Sequence, residues 1–419
     1  MKAKLFVWLL ILGNILQLNA QSRCGSSEYL KRSIQKNPSL QSYQQHIEKF
    51  IQSRVSTQPI ASINARPASP AIIKIPVVIH IIYHLSEENI SDEAINNQVN
   101  ALNRDYRRMN ADSSNTPACF KSVAADCNIE FELAKVDPQG RVTTGIERIY
   151  SPVAKWMGDD KMKYKKSYGA NAWDPDSYLN IWVCSMNDLL GYSSIMGEAK
   201  ELDGVVINYT VFNDFNDGGA YNSGRTAVHE IGHWLGLKHI WGDADCGDDG
   251  VADTPKQSTY TSGCPGGART SCGNTPHGDM YMNFMDYTND PCMNLFTKGQ
   301  SDRMRVLFDE GGFRNSILNS KALGEPYQQA ITLTDSIPAI KKIQAYPNPA
   351  KNELILDIQD EEKWIGKEII ITNFSGQALF HHIITARKNK INISSLSQGI
   401  YFVQSIDNNE KLSLKFIKL

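Results

Sequence analysis

The chain has 419 residues, more than one hydrophobic core usually supports, so two or three folded units are expected. Lys+Arg number 43 against 45 Asp+Glu, a net charge of -2, which leaves no electrostatic surplus to drive binding to phosphate backbones or anionic lipid. Nucleic acid is therefore not an expected partner.

Met1-Lys2-Ala3-Lys4, the apolar run Leu5 to Leu16 and the small residue in Leu18-Asn19-Ala20 make a charged start, an apolar middle and a cleavage site. Residues 1–20 read as a signal peptide, because the run falls short of the roughly 20 residues a bilayer span needs. No later segment is apolar enough to span, so the mature protein is expected outside its cell or on the surface, without a membrane span. A lipid-bearing Cys24 is disfavoured, since Gln21, Ser22 and Arg23 are not the small residues that would precede it. Export brings the eight cysteines to an oxidising environment where they can pair.

Residues 21–70 read as a pro-segment and tether, with Tyr43, His46, Ile47, Phe50 and Ile51 at helical spacing and a Ser/Pro/Ala-rich stretch from Ser62 to Pro70. Ile72 to Tyr83 is a β-rich apolar run. Ser91 to Asn110 is predicted helical, capped by Ser91, with Ile95, Val99, Leu102 and Tyr106 on one face. Strands are expected at Ile129 to Lys135, Tyr178 to Val183 and Val205 to Tyr209, which with one motif helix fits an α/β or α+β layer fold over residues 71–315. Cys246, Cys264, Cys272 and Cys292 crowd the loop-rich stretch after that helix. Residues 316–341 read as a linker. From 342 to 419 short strands alternate with turns, at Glu353 to Ile358, Glu368 to Asn373, Lys390 to Ile393, Ile400 to Ile406 and Lys411 to Ile417, the pattern of a small all-β sandwich.

His229-Glu230-Ile231-Gly232-His233-Trp234-Leu235-Gly236-Leu237-Lys238-His239 carries the chemistry. Residues four apart share a helix face, so His229 and His233 can place two imidazole nitrogens on one zinc. Glu230 stands beside them, placed to take a proton from water but not spaced as a ligand. Gly236 permits a left-handed exit from the helix, after which His239 can return as a third ligand. Three protein ligands leave a fourth position for water, the catalytic arrangement. A structural zinc would use the same histidines but would have no need of Glu230.

This long motif resembles that of the metzincin metalloproteases, and Asn283-Phe284-Met285-Asp286-Tyr287 resembles their methionine turn. Ile75 to His80, Leu102-Asn103-Arg104-Asp105-Tyr106, Leu190-Gly191-Tyr192 and Val251 to Pro255 are together similar to the pappalysin family, in its ulilysin and mirolysin branch. The likeness covers roughly Ile72 to Phe308. It implies an α+β metzincin-like catalytic domain, with a twisted mixed sheet, an active-site helix and a loop-rich C-terminal subdomain. The activity implied is zinc-dependent hydrolysis of protein or peptide substrates lying extended above the motif helix, their backbone paired to an edge strand near Gly191 and Tyr192.

The same resemblance implies several residue roles. Met285 forms an apolar floor under the zinc ligands, and Tyr287 helps hold the tetrahedral intermediate. Asp290 sits in the pocket for the residue after the scissile bond, favouring Arg or Lys there. Calcium is bound by Asp249, the carbonyl of Val251, Thr254 and the carbonyl of Asp248. The implied disulfides are Cys246 with Cys272 and Cys264 with Cys292, leaving Cys119, Cys127 and Cys184 unassigned. Arg23-Cys24-Gly25 resembles a cysteine switch in which Cys24 takes the zinc's open position until maturation; a disulfide to a leftover cysteine is the alternative. Ser53-Arg54 and Ala65-Arg66 are candidate points of self-cleavage. Tyr346-Pro347-Asn348-Pro349, Gly399-Ile400-Tyr401 and Lys415 to Leu419 resemble a type IX secretion sorting domain of a bacterium, read by the export machinery. A catalytically silent scaffold and a zinc amidase are the rival functions.

Overall fold

Ile73-Lys74-Ile75-Pro76-Val77-Val78-Ile79-His80-Ile81-Ile82-Tyr83 is rich in β-branched residues and forms the central strand β1 (Ile73–Tyr83) of a six-stranded sheet. The computed structural model describes residues 23–56, 71–214, 219–326, 343–358, 362–373, 376–407 and 410–419. The expected signal peptide, Ala65-Arg66 and most of the expected linker lie outside them. β1 pairs in parallel with β2 (Ile129–Leu133) along its first half, with β3 (Ile146–Tyr150) along its second, and on its other side with β4 (Leu179–Cys184). Pairing with β4 starts only at Val77, so Pro76, which has no N–H to give, sits where β1 has a single neighbour. At the far edge β5 (Gly191–Ser193) runs antiparallel to β6 (Val205–Asn208), which pairs in parallel with β4.

Ahead of the sheet the segment expected to be a pro-segment forms two helices, α1 (Ser26–Lys36) and α2 (Ser39–Ser56). The predicted helix after β1 is α3 (Asp92–Tyr106); Ser91 caps it by accepting from the Ala94 N–H at 3.1 Å. It stops short of Asn110 because Arg108 turns left-handed, with φ 50°. The motif helix is α4 (Arg225–Trp234), and a short polar helix, α5 (Lys298–Arg305), follows the disulfide-bearing loops.

Successive strand side chains face opposite ways. Ile75, Val77, Ile79 and Ile81, with Ile181, Val183, Val205 and Ile207, take the face covered by α3 and α4 and build the main core with Ile95, Leu102, Val228 and Ile231. Ile82, Trp182, Cys184, Tyr192 and Val206 take the other face, with Trp156 and Met162. Residues 316–322, assigned to the linker by composition, instead pack on this unit. Ile317 is buried, and the Ala322 carbonyl accepts from the Lys135 and Val136 N–H groups at 2.8 and 3.0 Å.

The chain divides into two units, residues 1–328 and 329–419. In the second the named strands pair antiparallel. One sheet holds β7 (Gln344–Tyr346), β8 (Glu353–Asp357) and β11 (Lys388–Asn392). The other holds β9 (Glu368–Asn373), β10 (Ala378–Ile383), β12 (Gly399–Asp407) and β13 (Glu410–Lys418). Leu354, Leu356, Ile369, Ile371, Ile391, Val403 and Phe416 from both sheets share one core, which makes the unit a sandwich. Among the described residues no helix is long and apolar enough to cross a membrane.

Candidate active site

Helix α4 carries His229 and His233 one turn apart, and the chain leaves it through Gly236 at φ 80°, with the Leu237 N–H bonded back to the Gly232 carbonyl at 2.9 Å. That turn brings His239 round. The His233 Nε2 atom lies 3.1 Å from the Nε2 atoms of both His229 and His239. Each far nitrogen is engaged: His229 Nδ1 with the Phe284 carbonyl at 2.7 Å, His233 Nδ1 with the Leu237 carbonyl at 2.9 Å, His239 Nδ1 with Asp243 at 2.6 Å. A carbonyl can only accept, so His229 and His233 carry their protons on Nδ1 and turn bare Nε2 lone pairs toward one point. Burial and the neighbouring imidazoles hold both rings below the usual histidine range, hence neutral. Lone pairs facing each other at this distance repel unless a cation sits among them, and their spacing suits tetrahedral zinc. The donor set therefore fits that metal.

The Cys24 sulfur lies within 4.8 Å of the three imidazole ligand atoms, completing a four-membered set. Cys24 is a buried thiol, 3.4 Å from Glu230 Oε2. Glu230 is fully buried; its Oε2 accepts from Ser26 Oγ at 2.8 Å, and burial pushes its carboxyl up to about 8. Met285 is fully buried directly beneath α4: a Cβ at Gly232 would stand 2.5 Å from its sulfur. The Tyr287 hydroxyl donates to the Cys24 carbonyl at 3.4 Å.

Asp290 is not an exposed loop acid. Fully buried, it accepts on Oδ2 from the N–H groups of Ser223 and Arg225 at 3.0 and 3.2 Å, and on Oδ1 from the Arg23 guanidinium at 2.9 Å. Arg23 also donates to the Thr288 carbonyl and lies 4.9 Å over the Tyr221 ring. Behind the pocket Arg225 bridges Asp105 and Asp112 and donates to the Asp290 carbonyl at 2.5 Å. Sequence reasoning singled out Asp290 but missed Arg23, Arg225, Asp105 and Asp112 as its surroundings; the Arg104-Asp105 pair inside a quoted motif, and a basic residue beside Cys24, were the available signals.

The pro-segment continues from Cys24 along β5. The Gly25 N–H donates to the Gly191 carbonyl at 2.9 Å, and the Ser193 N–H donates to Ser26 Oγ at 2.9 Å. Further on, Glu48 of α2 pairs with Arg303. In the acid loop, Thr254 Oγ1 lies 2.9 Å from both Asp249 carboxylate oxygens and from the Val251 carbonyl. Burial pushes the Asp249 carboxyl up to about 6. Asp248 spends a carboxylate oxygen on the Gly250 N–H at 2.7 Å. Asp253, in the same loop, buries an Oδ1 with no hydrogen-bond partner. The two implied disulfides are present, Cys246–Cys272 and Cys264–Cys292, with Cα separations of 5.6 and 5.7 Å. Cys119, Cys127 and Cys184 are thiols, the last two buried and pushed up by that burial.

Residues 162–309 match the family described as pregnancy-associated plasma protein-A, and residues 344–419 match the secretion system C-terminal sorting domain. An extracellular metalloprotease of Neurospora crassa is 32% identical over 255 residues, 57% of this chain and 76% of that protein. One from Arthroderma benhamiae is 32% identical over 280 residues, 62% and 82% respectively. Among solved structures, mature mirolysin of Tannerella forsythia in complex with a cleaved peptide is 48% identical, with a TM-score of 0.59, covering 61% of this chain and 99% of that one. A promirolysin variant of the same organism is 43% identical, with a TM-score of 0.65, covering 73% and 99%.

Proposed function

Since the chain belongs to the pappalysin family of extracellular zinc metalloproteases and carries a type IX sorting domain, we propose that it is a latent endopeptidase that cuts extended peptides before arginine or lysine. In this reading His229, His233 and His239 hold the zinc and Glu230 is the general base. The observation that carries the specificity is the seating of Arg23: a guanidinium on the buried Asp290 carboxylate, stacked over Tyr221, is what a substrate's basic side chain would find after the pro-segment leaves.

Zinc, when bound, supplies a Lewis acid for the peptide carbonyl and lowers the pKa of attacking water. The chain's own residues do the rest. Glu230, dry and fixed beside the histidines, takes the proton and returns it to the leaving amine. Tyr287, whose hydroxyl already reaches a carbonyl at Cys24, would donate to the oxygen that gains charge. Met285 supports the ligand helix from below. The outer edge of β5 offers the Gly191 carbonyl and Ser193 N–H to a substrate backbone, as it offers them to the pro-segment.

Latency follows from the same contacts. Cys24 fills the fourth ligand position, Arg23 fills the Asp290 pocket, and α1 and α2 cover the cleft. Maturation at Ser53-Arg54 would need the last turn of α2 to unwind, because both residues are helical here and a protease takes its substrate extended. Calcium at Asp249, the Val251 carbonyl and Thr254 is supported by their convergent oxygens, with the Asp248 carbonyl as the remaining candidate. The C-terminal sandwich is the part read by the export machinery.

Mapping cuts in a mixed peptide library by mass spectrometry tests the reading. Cuts before Arg or Lys should vanish with Glu230→Ala and with a zinc chelator. Folded, zinc-loaded protein freed of its pro-segment that leaves the library intact would sink it.

A further inference from the structure

Tyr29, on α1, is buried to 3% exposure in the cluster that holds Trp156, Met162, Trp182 and Tyr192. Its hydroxyl donates to Asp160 Oδ2 at 2.8 Å, and its ring lies 5.1 Å from that of Tyr192, on the edge strand β5. The niche is made by the catalytic unit itself. Tyr192 donates to Asp160 Oδ1 at 2.9 Å, and the fully buried Lys163 ammonium lies 2.8 Å from the same oxygen. That ammonium also donates to the Leu202 carbonyl at 2.8 Å and stands 5.1 Å from the ring centroids of both Trp182 and Tyr192. Asp160 is held in a left-handed conformation, φ 64°, a strained choice for a non-glycine residue of the kind that gathers at functional sites.

Asp160 is thus fixed from the enzyme side, and losing Tyr29 would remove a donor from a carboxylate set among aromatic rings. Such a group favours a replacement donor, and the ring stack favours an aromatic one. The niche also lies in the right place. The pro-segment runs from the Asp290 pocket past the histidines to β5 and then to Tyr29. If Asp290 takes the residue after the scissile bond, residues before it lie toward β5. A peptide extended along that strand turns every second side chain to the face that carries Tyr192.

We propose that the niche filled by Tyr29 in the latent chain becomes, after maturation, a subsite for a tyrosine side chain on the amino-terminal side of the scissile bond, its ring on Tyr192 and its hydroxyl on Asp160. This rests on the reading that the matured chain cuts extended peptides.

The test gives the full-length chain, zinc-loaded and allowed to mature, a peptide library with Arg fixed after the scissile bond and the preceding positions varied. One preceding position should select Tyr over Phe by about tenfold, the worth of a hydrogen bond to a charged partner. O-methyltyrosine, which keeps the ring but loses the donor, should fall to the level of Phe. Asp160→Ala should flatten the Tyr-to-Phe ratio without moving the cut; if that variant does not fold, the O-methyltyrosine comparison in the unaltered chain decides. Equal use of Tyr, Phe and O-methyltyrosine at every preceding position overturns the subsite alone, whereas a library left uncut overturns the protease reading and the subsite with it.

Discussion

The histidine cluster and the Asp290 pocket sit at neighbouring points of one cleft but are built in opposite ways. The three histidines and Glu230 come from eleven consecutive residues, and helix α4 plus one glycine turn suffices to converge them. The pocket draws on Asp105, Asp112, Tyr221, Ser223, Arg225, Thr288 and Asp290, from segments that meet only after the sheet, α3 and the disulfide-bearing loops have packed. The cluster is local, and the surroundings of Asp290 are assembled from a distance.

Substitutions can break that contrast, and the largest effect belongs to the local half. Glu230→Ala is expected to lower kcat by up to about 10^4-fold while bound zinc, measured by metal analysis, stays near one per chain, because the histidine geometry does not depend on the acid. Unchanged turnover would show that the motif is not the engine. Asp290→Ala should cost about 10–100-fold in kcat/KM for peptides with Arg after the scissile bond and little for those with Leu there, a ratio insensitive to the fraction folded. If both peptide classes fall together, the pocket is structural rather than selective.

Gly232→Ala tests the floor under the local half, since the added methyl meets the Met285 sulfur at 2.5 Å. A loss of about 1–3 kcal/mol by denaturant titration is expected, and an unchanged midpoint would mean that Met285 moves aside freely. The smallest change expected is in Ser27→Ala. Ser27 Oγ donates to Asp243 at 2.7 Å, the same carboxylate that holds His239. Its removal should weaken the pro-segment's hold by about 0.5–1.5 kcal/mol, seen as faster release of the matured form. No change in release would leave Arg23 and Cys24 as the anchors that matter.

The legibility of the sequence divides along the same line. β1, α3, β2, β4, β6 and most strands of the sandwich follow from β-branched runs, a serine cap and alternation, because each of these signals is carried by consecutive residues. β3, β10 and α5 escaped, being short or polar segments whose faces are chosen by neighbours rather than by their own pattern. Residues 316–322 read as linker by composition, yet Ile317 and two hydrogen bonds to the Ala322 carbonyl fasten them to the sheet unit.

By itself the sequence determined the spacing of the three histidines, the acid beside them and the two-unit architecture, because helical period and β alternation are properties of consecutive residues. Tertiary structure alone decided that Arg23 lies on Asp290, that Arg225 braces it between two acids, and that Tyr29 reaches Asp160. Those contacts join residues up to 267 positions apart, and no local pattern encodes a pairing that exists only once the intervening chain has folded.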